Sequence, residues 1–158
     1  MDLTTNLKNS GFLLADTSEE DLEAFILVEK VSHNKYVAEH KEFFGEWNEE
    51  ILKNAFYKKR EMTFFKKILW NDEIAGFCAY DQKEDKIDEV FIRVINKMQG
   101  KGIGTWFLSS LKAISRKYAI PVFLVVIKTN PAQNLYYKQG FECYKEQDVF
   151  LFMKYMEK

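Results

Sequence analysis

The chain has 158 residues, of which 47% are apolar and 16% aromatic, so it is long enough to bury a substantial core. Its formal net charge of −1 and its pI near 6.2 argue against a nucleic-acid partner, because nucleic-acid binders usually carry a basic stripe and a high pI. No basic segment followed by an apolar run opens the sequence, and no apolar run approaches the ~18 residues of a membrane span. We therefore expect no signal peptide and no membrane partner, and we predict a single domain over residues 1–158.

The cysteine content indicates a reducing compartment. Cys78 and Cys143 are too few for a disulfide framework, and they lack the spacing of metal ligands. We predict that both are reduced and buried, that the chain holds no metal, and that the protein is cytoplasmic.

The first third of the chain favours a strand followed by two helices. The segment "GFLLA" (11–15) is a short strand candidate. Residues 17–40 form the first helical pattern, in which Thr17 precedes Glu20 at the spacing of a capping box. A second helical pattern, "WNEEILKNAFYKK", covers residues 47–59.

The spacing of the apolar residues then changes from the helical period to the period of strands. The runs 61–70 and 73–82 are separated by Asn71-Asp72, which are good hairpin-turn residues. The segment "IDEVFIRVI" (87–95) is a third strand of this group. These three runs predict an antiparallel meander.

The last third alternates helices and strands. An amphipathic pattern beginning near Thr105 precedes "IPVFLVVIK" (120–128), a dense β-branched run that is typical of a strand buried on both faces. A short helix over 130–139 then leads to a hairpin of 141–146 and 149–156. The complete order is β-α-α-β-β-β-α-β-α-β-β, which predicts an α/β (α+β) fold around one mixed sheet.

The stretch "QGKGIGTWF" (99–107) concentrates three of the seven glycines of the chain between a strand and a helix. A glycine turn at a helix N-terminus presents unpaired backbone amides and the positive helix end together, which suits phosphate groups. The spacing excludes a P-loop, because no Ser or Thr follows Gly-Lys as required, and it excludes the dinucleotide fingerprint, because the pattern is GxGxG. A tight turn without a ligand is the alternative.

Two segments together resemble a known family. Residues 99–104 (QGKGIG) match the Q/R-x-x-G-x-G/A motif of the GCN5-related N-acetyltransferase (GNAT) family. Downstream, "NPAQNLYYKQGF" (130–141) is similar to the second motif of the family, with Ala132, Tyr136 and Gly140 in register. Asn130 lies two residues before the Ala, whereas many members have three.

The resemblance implies a GNAT fold in which the strands 87–95 and 120–128 splay apart and hold acetyl-CoA between them. The backbone of the first strand would contact the pantetheine arm, and the amide of Val94 would polarise the thioester carbonyl. The implied cofactor-binding residues are Ile92, Arg93, Val94, Gln99, Gly100, Lys101, Gly102, Ile103, Gly104, Thr105, Asn130 and Tyr136.

The resemblance also implies catalytic roles. Tyr136 occupies the position of the general acid that protonates the leaving thiolate. Glu89 is the first candidate for the general base, because family members often use an acid in this strand. An ion-paired surface carboxylate is the alternative for Glu89, and His33 or a chain of waters could serve instead. Strand alternation places Glu89, Phe91 and Arg93 on one face.

We predict that the acceptor amine is selected at the junction of the first two helices. Phe44 and Trp47 lie there beside Glu46, and aromatic rings next to carboxylates suit a cationic amine. Packing of the helices by the two rings, with the acids in water, is the alternative. Arg93 could instead bind a carboxylate on the acceptor.

The function predicted from the sequence is transfer of an acetyl group from acetyl-CoA to a primary amine, on a small molecule or a peptide. The alternative is a non-catalytic GNAT-like module that binds CoA or mediates protein contacts. The sequence leaves both a monomer and a homodimer open.

Overall fold

A mixed sheet of seven strands organises the chain, which a computed structural model describes over residues 1–158. The strands lie in the order β1-β2-β3-β4-β5-β7-β6. Their bounds are β1 (Phe12–Asp16), β2 (Phe64–Trp70), β3 (Glu73–Gln82), β4 (Ile87–Val94), β5 (Val122–Ile127), β6 (Glu142–Gln147) and β7 (Phe150–Tyr155).

Seven helices surround this sheet. Their bounds are α1 (Thr5–Asn9), α2 (Leu22–Ser32), α3 (Asn34–Ala38), α4 (Lys41–Phe44), α5 (Glu49–Arg60), α6 (Ile103–Tyr118) and α7 (Ala132–Lys138). The predicted fold class and element order are confirmed, with short helices added that the sequence analysis did not separate.

The N-terminal part differs in detail from the prediction. The helical pattern of 17–40 is broken at His33, whose φ of −130° and ψ of −28° separate α2 from α3. The capping box is formed by Ser18 and Asp21, one residue after the predicted Thr17 and Glu20. The Asp21 carboxylate accepts a hydrogen bond of 2.8 Å from the Ser18 amide.

Two layers of side chains fill the space between the sheet and the helices. Helices α1, α6 and α7 cover one face, where the larger apolar cluster includes Phe107 and Leu111. Helices α2 and α5 cover the other face over β2, β3 and β4, where Phe25 packs on both Phe56 and Phe77. Each of these five helices therefore buries apolar side chains against the sheet.

Helices α2 and α5 do not cover the second face over β5, β6 and β7. Val125 is 50% exposed, so the prediction that 120–128 is buried on both faces is wrong. The run is rich in β-branched residues, but α2 and α5 reach only as far as β4 on that face.

The sheet splits between β4 and β5. These two parallel strands are paired only at their beginnings, through Ile87 opposite Val122, and they separate beyond that point. The gap leaves one edge of β4 without a strand partner in the middle of the sheet, and the candidate site lies along this edge.

Candidate active site

A cavity of about 570 Å³ opens where β4, α6, α7 and the α2–α3 junction meet. It contains nearly all of the predicted cofactor-binding residues together with a group from α2 and α3. Its polar and backbone lining includes Ser32, His33, Tyr36, Arg93, Gln99, Gly100, Gly102, Gly104, Thr105, Asn130 and Tyr136, and its apolar lining includes Ile92, Val94 and Ile103.

The turn before α6 presents a row of free backbone amides. The first hydrogen bond of the helix joins the Trp106 amide to the Gly102 carbonyl at 2.9 Å. No protein acceptor bonds the backbone amides of residues 100–105. These N–H groups lie at the positive end of a 16-residue helix, an arrangement that binds phosphate oxygens.

The glycines of this turn have different physical roles. Gly102 adopts a φ of +94°, a left-handed conformation that glycine allows without strain. Gly104 is helical, and a Cβ there would lie 2.8 Å from Leu135 Cδ2 of α7. One glycine therefore shapes the turn, and the other lets α6 and α7 pack closely.

The free edge of β4 supplies further amides. Just beyond the strand, the Ile95 amide bonds to the Ala75 carbonyl of β3 at 2.9 Å. Successive residues of a strand direct their amides to opposite edges, so those of Ile92 and Val94 point into the gap beside β5. The predicted backbone donors therefore face the cavity.

A β-bulge sets this alignment. The pairing of β3 with β4 shifts register between Ala79 and Asp81, and Glu89 on the opposing strand adopts a φ of +52°. The extra residue is in β4. Because of it, the backbone amides that follow the bulge point to the edge of β4 opposite to the one they would otherwise face. At the end of this edge, Gln99 Nε2 donates a hydrogen bond of 2.9 Å to the Val94 carbonyl.

Tyr136 lies inside the cavity with an unpaired hydroxyl group. The residue is 8% exposed, and its ring packs beside Phe141. Burial and the charge of Arg93 act on this hydroxyl, and no side-chain hydrogen bond does. Burial raises the pKa of Tyr136, and the nearby charge of Arg93 offsets part of that rise. The phenol is therefore protonated at neutral pH and free to donate.

The opposite wall of the cavity contains a buried ion pair. Arg93 Nε lies 2.9 Å from Glu29 Oε1 of α2, and Arg93 Nη1 donates to the Ile92 carbonyl at 3.0 Å. The guanidinium also lies over the Phe91 ring, 4.6 Å from its centroid. The charge of Arg93 is thus already paired with the carboxylate of Glu29.

His33 completes this wall. Burial, with a smaller effect from the charge of Arg93, lowers the pKa of His33 to about 3. The imidazole is therefore neutral at physiological pH. The sequence analysis considered His33 as a base but missed Ser32 and Tyr36, because a lone polar residue at a helix end carries no motif.

Glu89 lies outside this cavity. It lines a second cavity of about 300 Å³ in the gap between β4 and β5, and its carboxylate accepts a hydrogen bond of 3.2 Å from Lys58. The structure thus separates Glu89 from Tyr136 and pairs it with a lysine.

Two predicted cofactor contacts have other surroundings. Asn130 lines the cavity, but its Oδ1 also accepts a hydrogen bond of 2.9 Å from the amide of Ala132, the first residue of α7. Lys101 is exposed and does not line the cavity.

The predicted acceptor-binding residues line neither cavity. Phe44 packs edge-on against Phe150 of β7, with ring centroids 5.7 Å apart. The carboxylate of Glu46 is 82% exposed and pairs with Lys41 at 2.7 Å. Trp47 is 37% exposed.

Other groups have no part in the cavity. The two cysteines are free, with Cys78 buried and Cys143 partly exposed. No helix is both long enough and apolar enough to cross a membrane.

The residues present fit acetyl-CoA. The free amides of 100–105 are donors for its pyrophosphate, and the unpaired edge of β4 matches an extended amide-bearing arm. The cavity volume of about 570 Å³ lies within the range of small-molecule sites.

Comparisons with known proteins agree with this geometry. The sequence profile of the Acetyltransferase (GNAT) family matches residues 27–141, whereas no curated protein matches the chain significantly by sequence. Among solved structures, PH1933 from Pyrococcus horikoshii OT3 shares 23% identity at a TM-score of 0.71, covering 93% of this chain and 99% of its own.

Two further structures have the same fold. The PaiA N-acetyltransferase from Thermoplasma acidophilum, in complex with coenzyme A, is 20% identical at a TM-score of 0.67, over 92% of this chain and 99% of its own. The ribosomal-protein-S18-alanine N-acetyltransferase from Escherichia coli is 20% identical at a TM-score of 0.65, over 92% and 93%. The family match, on a chain with this cavity, turn and splayed sheet, shows that the protein belongs to the Acetyltransferase (GNAT) family and is an acetyl-CoA-dependent N-acetyltransferase.

Proposed function

We propose that residues 1–158 act as one catalytic domain that acetylates a primary amine, on a small molecule or a peptide, in the cytoplasm. The observation that carries this proposal is the juxtaposition, in one cavity, of the free amides of 100–105 and the unpaired hydroxyl of Tyr136. The two free cysteines support a reducing compartment.

Binding is assigned to the backbone. The amides of 100–105 would hold the pyrophosphate of acetyl-CoA, and Ile92 and Val94 would hold its pantetheine arm along the free edge of β4. Acetyl-CoA supplies the acetyl group as a thioester. The Val94 amide is the donor proposed to bind the carbonyl oxygen, on which negative charge develops during attack by the amine.

Proton transfer is assigned to side chains. Tyr136 is the proposed general acid, because its phenol is protonated, unpaired and directed at the cavity. Glu89 is the proposed base, acting at a distance from Tyr136 through ordered water, since the two residues line different cavities. His33 is a weak base, because its pKa is lowered to about 3.

Acceptor selection is assigned to the side of the sheet that carries α2 and α5. His40 of the α3–α4 connection lies 3.2 Å from the Thr129 hydroxyl, and Phe44 packs on Phe150. These contacts place the segment 33–44 across the ends of β5 and β7. Phe44, Glu46 and Trp47 would then border the entrance used by the acceptor, in a monomer or a homodimer.

The test is a screen of primary amines with acetyl-CoA. Release of the CoA thiol is followed with a thiol reagent, and the acetylated amine is identified by mass spectrometry. We expect amine-dependent thiol release that requires the wild-type cavity. A protein that binds acetyl-CoA but acetylates no amine or peptide in the panel would favour the non-catalytic module.

A further inference from the structure

The second cavity contains a cation that has no partner. Lys59 of α5 is partly buried, and its Nζ lies 4.4 Å from the centroid of the Phe91 ring. The neighbouring Lys58 pairs with Glu89, whereas no carboxylate lies within ion-pair distance of Lys59. An ammonium group held against a ring in a cavity is ready to bind an anion.

The acids of this cavity are already neutralised. Asp88 Oδ2 lies 2.8 Å from the ammonium groups of both Lys83 and Lys86, and Glu89 lies 3.2 Å from Lys58. Lys59 is therefore the cation of this lining that has no carboxylate within ion-pair distance, while Glu29 and Glu89 act on its charge from farther away.

The remaining walls are apolar and aromatic. They consist of Phe91 and Val90 from β4, Phe123, Leu124 and Val125 from β5, and Tyr144 from β6. The Phe123 and Tyr144 rings pack edge-on, with centroids 5.7 Å apart. Such walls suit an apolar or aromatic body that carries one anionic group.

The second cavity lies next to the first along β4. Residues 88–91 line the second cavity and residues 92–94 line the first. Phe91 and Arg93 direct their side chains to the same sheet face, where Arg93 covers the Phe91 ring. Three residues of strand span about 10 Å, which is the separation along β4 between Phe91 of the second cavity and Val94 of the first.

We propose that the second cavity binds a carboxylate of the acceptor through Lys59, so that the enzyme prefers amines that carry a carboxylate at the far end of an apolar or aromatic body. This inference rests on the proposed acetyl transfer to an amine and names the acceptor class. Arg93 cannot take this role, because Glu29 already pairs with it.

The charge state of Lys59 is compatible with this role. Burial lowers the pKa of Lys59 to about 8, with Glu29 and Glu89 raising it and Arg93 and Lys58 lowering it. The ammonium form therefore predominates at pH 7, and a bound carboxylate would stabilise it further.

Binding is tested without catalysis, on the wild-type protein by calorimetry at pH 7. The probes are 4-methylbenzoate and its neutral analogue 4-methylbenzyl alcohol. We expect 4-methylbenzoate to bind at least about tenfold more tightly, since a charge-assisted contact is worth roughly 1.5–3 kcal/mol. Lys59→Met, which keeps the apolar stem, should remove the difference, and Lys59→Arg should retain it.

Lys53→Met is the matched control, because Lys53 is an exposed lysine on the same helix that lines neither cavity. It should bind 4-methylbenzoate as the wild type does. Equal affinity for the two probes in the wild-type protein, or unchanged binding in a folded Lys59→Met protein, would overturn the proposal.

Selectivity is tested with 4-(aminomethyl)benzoate and 4-methylbenzylamine as acceptors. We expect wild-type kcat/KM to favour the carboxylate by about tenfold or more, and Lys59→Met to lower only that value. Acetylation of both amines with no preference would contradict the carboxylate site and leave the acetyl transfer standing. Lys59-dependent binding of 4-methylbenzoate in a protein that acetylates no amine would support the anion site and contradict the proposed acetyl transfer.

Discussion

In the proposed mechanism, Tyr136 acts in proton transfer through a single oxygen atom. Tyr136→Phe removes that atom and keeps the buried ring, so packing beside Phe141 is preserved. We expect kcat and kcat/KM to fall together by roughly 10²–10⁴-fold, the usual range for general acid catalysis. Steady-state kinetics measure the loss, and the melting temperature and the Kd for acetyl-CoA serve as controls. A several-fold change alone would make Tyr136 a packing residue.

The lowered pKa of His33 predicts that the fold loses stability at acidic pH. Its pKa is about 3 in the folded protein, against about 6.5 in an unfolded chain, so the unfolded state binds the extra proton between these values. The contribution of the neutral imidazole to the free energy of unfolding is fully present above about pH 6.5, and it is lost progressively as the pH falls towards 3. Urea denaturation at pH 5 and pH 7.5 should show a smaller pH effect in His33→Gln than in the wild type. Equal pH effects in the two proteins would show that the imidazole is solvated.

In the proposed function, the binding of acetyl-CoA depends on the turn between β4 and α6. Gly102→Asp places a carboxylate beside the free amides and forces a left-handed φ on a residue with a Cβ. We expect the Kd for acetyl-CoA, measured by calorimetry, to rise by at least about tenfold, because the added charge opposes the phosphates.

Gly140→Asp is the control for this substitution. Gly140 also has a positive φ, of +87°, but it lies outside the cavity, and a Cβ there would make an ordinary 3.6 Å contact with Tyr155. It introduces the same charge and a similar backbone strain, so it should lower stability and leave the Kd close to that of the wild type. A similar loss of affinity in both variants would remove the phosphate assignment from the turn.

Across the whole molecule, the Glu29–Arg93 pair joins the α2 layer to the edge of the split in the sheet. The Glu29 side chain is 9% exposed and that of Arg93 is 22% exposed, so removing one partner leaves a poorly solvated charge. Glu29→Gln should lower the free energy of unfolding by about 1–3 kcal/mol and raise the KM for acetyl-CoA. Glu23→Gln, an exposed change on the same helix, is the control in urea denaturation and should leave both quantities near wild type. A stable Glu29→Gln protein with an unchanged KM would contradict a role for the pair in holding the cavity.

The elements themselves were largely readable from the sequence. Periodic apolar residues and strong turn residues, such as Asn71-Asp72 with its two positive φ values, are local signals that predict helices, strands and hairpins. The glycine turn was equally local, because positive φ and free amides at a helix start depend on a few neighbouring residues. Its position between a strand and a helix was enough to predict an anion site.

The sequence was therefore enough to predict the element order, to propose an anion site at the glycine turn and, through the family resemblance, to propose Tyr136 as the general acid. The folded chain was needed to see that β4 separates from β5 after Ile87, that α2 and α5 stop at β4, and that Glu89 pairs with Lys58 away from Tyr136. The pairing of Arg93 with Glu29, which leaves Lys59 as the unpaired cation of the second cavity, was decided in the same way. The physical reason is that charge pairing, burial and the closing of a cavity arise between residues distant in the chain, and no local period or spacing encodes which of them meet.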